Sequence, residues 1–257
     1  GFYGFMLARA GFEVHFLLRS EYDAVSRNGL HISSAVHGEL HEPKVHAWND
    51  PALMPKCDWL FVGAKTTSNP VLAPIINQVA AAGAKVVLLQ NGLGIEDEIR
   101  PLLDDHLHLL GGLCFIYVHR SAPGMIKHQA QGGVNLGYHS GPATQEEGYA
   151  LAQMGVSFFT QAGLDSKALP VLQQARWQKL VWNIPYNGLS VLLNSDIEQL
   201  MSEAHSRELV TQLMEETMLA AQACGYTLPD NLVQALLKYT DAMPAYLPSM
   251  FHDFKQK

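Results

Sequence analysis

The sequence predicts an α/β domain followed by an all-α domain, and three observations support this prediction. Apolar runs of strand length alternate with helical patterns through the first half of the chain. Several of these runs are apolar throughout, which is typical of parallel strands covered on both faces. Beyond about Lys167, nearly every segment has a helical pattern. We therefore expect domains at residues 1–166 and 167–257.

The first elements indicate which kind of α/β domain this is. Residues 1–11 predict a short helix that closes at Gly11, and residues 12–18 predict an apolar strand that leads to Arg19. A helix, a glycine stop and a strand form the second half of a βαβ unit, as in Rossmann-type dinucleotide-binding domains. We expect the preceding strand and its glycine-rich turn to lie before Gly1.

The remaining elements follow from the same patterns. The first domain is expected to contain strands at 58–64 and 85–89, a helix at 70–82 closed by Gly83, an inserted hairpin at 30–46 turning at Gly38, and an antiparallel stretch at 109–138 turning at 122–124. The second is expected to contain helices at 169–193, 197–224 and 232–237.

Composition limits the classes of partner. The 257 residues are 48% hydrophobic and 16% charged, which is typical of a packed globular protein. The net charge of −7 and the absence of a Lys/Arg cluster argue against a nucleic-acid partner. No apolar run reaches the roughly 20 residues that cross a bilayer, so we expect no membrane partner. The three distant cysteines favour a reducing, cytoplasmic location over a disulfide framework.

A row of polar residues is predicted on one helix of the second domain. Lys179, Asn183 and Asn187 are spaced four residues apart, so on a helix they project from one face. One interpretation is a solvated polar stripe. The neighbours favour burial nearly all round the helix, because they are mostly apolar: Trp177, Leu180, Val181, Trp182, Ile184, Tyr186 and Leu189. A buried lysine is costly unless it lines a polar cavity, so we favour a cavity, with Pro185 loosening the helix beside it.

A second candidate follows the strand predicted at 85–89. Residues 90–94 read Gln-Asn-Gly-Leu-Gly, and ligands of open α/β sheets bind beyond the carboxyl ends of strands. Asn91, which has a glycine on its carboxyl side, could therefore approach a cofactor closely. The alternative is an ordinary strand-to-helix turn, because Asn-Gly is a common turn pair.

Two cations stand at predicted strand ends. NAD sites usually place a carboxylate at the end of the second strand, whereas an arginine there accommodates the 2′-phosphate of NADP. Arg19 occupies this position, and Lys65 ends the next parallel strand. Each alone could be an exposed strand-end charge, but together they favour NADPH.

Two further features are less specific. Ser249 could bind a substrate carboxylate, or it could cap a helix without any chemistry. Four histidines raise the question of a metal site, but their spacing matches no common zinc pattern: His31, His37, His41 and His46. We expect scattered surface histidines and no bound metal.

Taken together, these pieces resemble the ketopantoate reductase (2-dehydropantoate 2-reductase) family over essentially the whole chain. The row of Lys179, Asn183 and Asn187 is the specific part of the resemblance. The other matching pieces are residues 4–19, Lys65, residues 90–94, Pro123-Gly124, residues 177–183 and residues 248–250.

The resemblance implies a function and a role for each residue. It implies reduction of 2-dehydropantoate to pantoate in pantothenate and coenzyme A biosynthesis, with NADPH as the hydride donor. Lys179 would be the general acid that protonates the developing alkoxide. The other implied roles are cofactor binding by Gly1, Gly4, Arg19, Lys65 and Asn91, and substrate binding by Asn91, Asn183, Asn187 and Ser249.

The resemblance also implies residues that this sequence does not contain. The family has a glycine-rich turn of which Gly1 and Gly4 are the trailing edge, and a substrate-binding glutamate at a position beyond Lys257. We expect a molecule that lacks both to bind NADPH poorly.

Three questions stay open from the sequence. The chain could be a paralogous reductase of another 2-oxo acid, because the residue that would contact the substrate's tail is among those not in the sequence. It could instead be a non-catalytic NADP-binding regulator. The long helix predicted at 197–224 belongs either to the core or in part to a homodimer face.

Overall fold

The structure is a computed structural model that describes residues 1–243 and 247–255, except for the side chain of His252. The chain divides into Gly1–Leu172, here called unit 1, and Gln173–Lys257, here called unit 2. Unit 1 is α/β and unit 2 is helical, so the predicted fold class is confirmed. The assignment of functional domains to 1–166 and 167–257 stays a prediction.

Nine strands form the framework of unit 1: β1 (His15–Leu17), β2 (Leu30–Ser34), β3 (Gly38–Glu42), β4 (His46–Trp48), β5 (Cys57–Val62), β6 (Ala80–Leu88), β7 (His108–Ala122), β8 (Met125–Ser140) and β9 (Ala168–Leu169). The helices of unit 1 are α1 (Phe2–Arg9), α2 (Tyr22–Asn28), α3 (Asn69–Val79), α4 (Ile95–Ile99) and α5 (Gln145–Gln161). Helix α6 (Leu172–Leu193) begins at the boundary, and unit 2 continues with α7 (Ile197–Ser202), α8 (Ala204–Ala223), α9 (Leu232–Asp241) and α10 (Ser249–Lys255).

Seven strands form one mixed sheet in the order β3-β2-β8-β7-β6-β5, with β9 beside β8. Strands β5, β6 and β7 are mutually parallel, and β7 and β8 form a long antiparallel hairpin that turns at Pro123-Gly124. Val86, Val87 and Leu88 of β6 are fully buried, as the uninterrupted apolar run predicts. The carboxyl ends of β5 and β6 therefore lie side by side at one edge of a covered sheet.

Strand β1 belongs to a separate ladder. It pairs in parallel with β4, through His15–Leu17 and His46–Trp48, and not with the main sheet. Helix α1 packs onto it at Gly4, where an added Cβ would come within 2.7 Å of the Phe16 ring. The predicted glycine stop of α1 is confirmed, because Gly11 has φ = 91°.

Two of the predicted helices end early or are interrupted. The helix predicted to continue to Ala82 ends at Val79, because Ala80 already pairs with Cys57 of β5 and sheet hydrogen bonds replace helical ones. The predicted long helix at 197–224 breaks at Glu203, whose side chain accepts a hydrogen bond from Ser206 N at 2.7 Å and so starts a new helix. A homodimer face on this segment stays a prediction.

The hairpin predicted at 30–46 is confirmed over β2 and β3, but its last residue is not part of it. His46 lies in β4, where it pairs with His15. His31 and His41 are cross-strand partners with ring centroids 3.7 Å apart. Within residues 1–243 and 247–255, no group of three or more His, Cys, Asp or Glu side chains is arranged to hold a metal ion.

Two further observations concern the environment of the chain. Cys57, Cys114 and Cys224 are not joined by disulfide bonds. Of the helices in the described ranges, none combines the length and the apolar composition that crossing a bilayer requires.

Candidate functional site

The carboxyl ends of β5 and β6 carry two of the predicted residues. Val62 and Leu88 are paired in the ladder, and Leu89 N donates to Val62 O at 2.9 Å. Lys65 and Asn91 each follow three residues after this pair, and both side chains are exposed. The two loops therefore leave the same edge of the sheet, where ligands of open α/β sheets bind.

Strand β7 brings a residue to this edge that the sequence analysis missed. Cys114 lies on β7, and its Sγ is 4.0 Å from the carbonyl oxygen of Leu89. Tyr3 of α1 donates from its hydroxyl to Gly133 O at 3.1 Å. Burial, with the Cys114 thiol next to it, raises the pKa of Tyr3 far above its ordinary value, so this hydroxyl keeps its proton. The first turn of α1 thus reaches the region where β6 ends.

The two glycines at the start of α1 are closely packed. An added Cβ on Gly1 would come within 2.8 Å of Ile126 Cδ1, and one on Gly4 would meet Phe16. A glycine that lets a helix pack tightly on its strand is one of the three glycine roles in dinucleotide-binding turns. Gly4 fits this packing role, and its contact with a cofactor stays a prediction.

Arg19 is exposed after β1, and among the described residues no side chain pairs with its guanidinium. The nearest carboxylate in sequence, Glu21, is engaged elsewhere. It accepts a hydrogen bond from Gly124 N at 3.1 Å and forms an ion pair with Arg120. Burial works against ionisation, but these hydrogen bonds and the Arg120 charge hold the pKa of Glu21 below its usual range. The turn after β1 therefore offers Arg19 as an available cation, and the carboxylate of Glu21 is already paired with Arg120.

Lys179, Asn183 and Asn187 lie within α6, as the spacing predicts, and all three are half-buried. Other residues of the helix anchor it to the rest of unit 2. Trp182 Nε1 donates to Thr240 Oγ1 at 3.0 Å, and the fully buried Tyr186 donates from its hydroxyl to Met201 Sδ at 3.2 Å. The rigid attachment of α6 fixes the row.

Burial of α6 is less complete than the sequence analysis expects. Trp177, Val181, Tyr186 and Leu189 are buried, but Ile184 is 42% exposed. The prediction of a helix buried nearly all round is therefore wrong at this residue. An apolar side chain is no guarantee of burial, because apolar atoms contribute much of every protein surface.

Two buried charges also escaped the sequence analysis. Arg176 lies one helical turn before Lys179 and is 3% exposed, and Glu96 of α4 is fully buried. The Glu96 carboxylate packs against Gly111, where an added Cβ would come within 2.4 Å of its Oε1. No pattern in the sequence distinguishes these two residues from exposed ones of the same type.

Ser249 is exposed at the first position of α10, and Phe251 N donates to the preceding Pro248 O at 3.0 Å. The alternative of an N-cap places Ser249 one residue before the helix, whereas the structure places it inside. Its role in substrate binding stays a prediction.

Comparison with known proteins gives a consistent result. The family model described as ketopantoate reductase PanE/ApbA matches residues 1–141, and the model of the C-terminal part of that family matches residues 171–257. A protein from Nostoc named 2-dehydropantoate 2-reductase is 41% identical over 257 residues, which is 100% of this chain and 80% of the relative.

Solved structures agree. The crystal structure of a 2-dehydropantoate 2-reductase from Geobacter metallireducens superposes with a TM-score of 0.91 and 35% identity, covering 99% of this chain and 83% of that one. D-mandelate dehydrogenase, solved with NADH and anilino(oxo)acetate, superposes with a TM-score of 0.84 at 18% identity. The match covers 99% of this chain and 82% of the dehydrogenase chain. At that identity the likeness concerns the fold alone.

Proposed function

This chain belongs to the ketopantoate reductase family of dinucleotide-dependent oxidoreductases, and we propose that it reduces 2-dehydropantoate to pantoate with NADPH. The observation that carries the proposal is the 41% identity, over the whole chain, to a relative named for this activity. The place of the reaction is pantothenate biosynthesis. Three cysteines without a disulfide are compatible with the reducing cytoplasm, where we place the enzyme.

The turn after β1 favours NADPH over NADH. An adenosine 2′-phosphate is a dianion, so it needs a cation that is not already paired, and Arg19 provides one. The carboxylate that would compete for this cation or repel the phosphate, Glu21, is held by Arg120 and Gly124. Lys65 is assigned to the same end of the cofactor, and Asn91 to the nicotinamide end.

The chemistry that bound NADPH supplies is a hydride for the carbonyl carbon of the oxo acid. The proposed task of Lys179 is to donate a proton from its ammonium group to the oxygen of the developing alkoxide, which completes the alcohol. Asn183 and Asn187 orient the oxo acid by hydrogen bonds and do not compete for the proton, because amides do not titrate. A positioned general acid of this kind contributes roughly 10² to 10⁴ in rate.

The test is NADPH oxidation, followed by absorbance, with 2-dehydropantoate as substrate. We expect turnover by the full-length wild-type protein and a 10²- to 10⁴-fold lower kcat for Lys179→Ala. The matched control is Lys238→Ala, an exposed lysine of α9 in the same unit, which should retain full activity. NADPH binding by Lys179→Ala should be unchanged, because the lysine is assigned to chemistry.

Two outcomes would overturn the proposal. No turnover of 2-dehydropantoate, together with turnover of another 2-oxo acid, would indicate a paralogous reductase. Tight NADPH binding without turnover of any 2-oxo acid would indicate a non-catalytic cofactor-binding protein.

A further inference from the structure

Two buried amides face each other at the sheet edge where β5 and β6 end. Asn69 Nδ2 donates to Gln90 Oε1 at 3.2 Å, and Gln90 Nε2 donates back to Asn69 Oδ1 at 2.8 Å. Both residues are 4% exposed. The second hydrogen of Gln90 Nε2 goes to the carbonyl oxygen of Ala64 at 2.8 Å. We call this arrangement the amide bridge.

The orientation of both amides follows from these contacts. If the Gln90 amide were reversed, its oxygen would face the Ala64 carbonyl oxygen, and two acceptors would oppose each other. Ala64 therefore sets Gln90, and Gln90 in turn sets Asn69. Because the bridge is nearly excluded from water, a partner lost from it leaves an unsatisfied polar group, which is costly.

The bridge joins the segments that carry two proposed cofactor residues. Ala64 immediately precedes Lys65, and Gln90 immediately precedes Asn91. Asn69 is the first residue of α3, and a short 3₁₀ turn, Thr66–Ser68, links it to Lys65. One set of three hydrogen bonds thus fixes the end of β5, the end of β6 and the start of α3 relative to one another.

We propose that Asn69 and Gln90 are positioning residues of the dinucleotide site, which hold Lys65 and Asn91 in register while contacting no reactant themselves. This inference rests on the proposed function, because it takes Lys65 and Asn91 to bind the two ends of NADPH. It adds two residues whose effect on the cofactor passes through their neighbours.

The test uses near-isosteric apolar substitutions, Asn69→Leu and Gln90→Met. We expect the Kd for NADPH, measured by fluorescence titration, to rise roughly 5- to 30-fold in each, which corresponds to one or two lost hydrogen bonds. The Kd for NADH should rise less, since NADH lacks the phosphate to which Lys65 is assigned. The ratio of the Kd for NADH to the Kd for NADPH should therefore fall.

The matched control is Asn77→Leu on the same helix. Asn77 donates to Leu102 O at 3.1 Å and accepts from Asp104 N at 3.2 Å, so this variant also loses two amide hydrogen bonds, at the opposite end of α3. Its thermal stability should fall, but its ratio of NADH to NADPH Kd should equal that of the wild type. If Asn69 and Gln90 served stability alone, Asn69→Leu and Gln90→Met would also keep the wild-type ratio of NADH to NADPH Kd.

Two more measurements make the inference decisive. If the amides act through one another, the double variant Asn69→Leu/Gln90→Met should weaken NADPH binding no more than the worse single variant. The exchange Asn69→Gln/Gln90→Asn should restore part of the selectivity, because it restores the facing amides. Selectivity equal to the wild type in both single variants would overturn the inference. Absence of NADPH binding by the wild type would overturn the proposed function instead.

Discussion

The two sets of candidate residues are held in different ways. In unit 2, Lys179, Asn183 and Asn187 follow one another along a single helix and are half-buried. In unit 1, Arg19, Lys65 and Asn91 are exposed and stand on three separate loops. The backbone of α6 alone sets the spacing of the first set, since successive turns repeat every 5.4 Å. The second set depends on contacts between segments that are distant in the chain.

Each set is therefore vulnerable to a different kind of substitution. The row on α6 stays aligned as long as the helix stays anchored to the core of unit 2. The strand-end residues depend on polar contacts, such as the amide bridge and the pair of Glu21 with Arg120. We therefore expect core substitutions to act most strongly in unit 2, and charge substitutions to act on cofactor binding in unit 1.

The largest effect is expected from Tyr186→Ala. Tyr186 is fully buried, so its removal leaves a cavity beneath α6, and the free energy of unfolding should fall by about 3 to 5 kcal/mol. Urea denaturation followed by tryptophan fluorescence measures this. Leu192→Ala, on the same helix but at a residue 77% exposed, should change the value by less than about 0.5 kcal/mol. An equal fall in the free energy of unfolding in both variants would contradict the anchoring of α6 by its buried residues.

An intermediate effect is expected from Arg19→Ala. Loss of a charge-assisted contact to the 2′-phosphate should raise the Kd for NADPH about 10- to 100-fold and leave the Kd for NADH nearly unchanged. Fluorescence titration of both cofactors tests this. Arg9→Ala, at an exposed arginine in the last turn of α1, provides the control and should leave both constants at their wild-type values. A parallel loss of NADH binding would contradict a phosphate contact.

The smallest effect is expected in the acid limb, by which we mean the fall in the free energy of unfolding between pH 6 and pH 3. The pKa of Glu21 is lowered in the folded state, so its pairing stabilises the protein above the ordinary value of 4.5, and that stabilisation is lost as the pH falls through the folded value. Between pH 6 and pH 3, the wild type should therefore lose about 0.2 to 1 kcal/mol more than Glu21→Gln, because the pair is partly exposed and screened. Urea midpoints across this range test it.

The control for the acid limb is Asp23→Asn, an exposed carboxylate in the first turn of α2. Its acid limb should follow that of the wild type. If Glu21→Gln also follows the wild type, the pair with Arg120 contributes nothing to stability, and Glu21 would be available to compete for Arg19.

Features set by local spacing could be predicted from the sequence. The row on α6 needs only the helical repeat, and the turn at Pro123-Gly124 between β7 and β8 needs only local turn chemistry. The buried run of β6 was predictable from its composition, because uninterrupted apolar residues indicate a covered parallel strand. The resemblance to the family rests on features of this kind.

Features that depend on distant partners could not be predicted in this way. Ala80 was assigned to a helix from its local pattern, but its pairing with Cys57 places it in a strand, because tertiary contacts override propensity. Asn69 and Gln90 are 21 residues apart, and nothing in either segment indicates that the two amides meet. The burial of Glu96 and Arg176 is hidden for the same reason, since side-chain type alone predicts exposure.

The close approach of Gly4 to Phe16 has a consequence for the descent of this protein. The ladder of β1 and β4 has only three residue pairs, and two-stranded ladders are marginally stable alone. The packing of α1 on Phe16 at Gly4 therefore helps to stabilise it. A bulkier residue at position 4 would be tolerated only after the ring at position 16 had become smaller. The two positions should therefore change together in lineages.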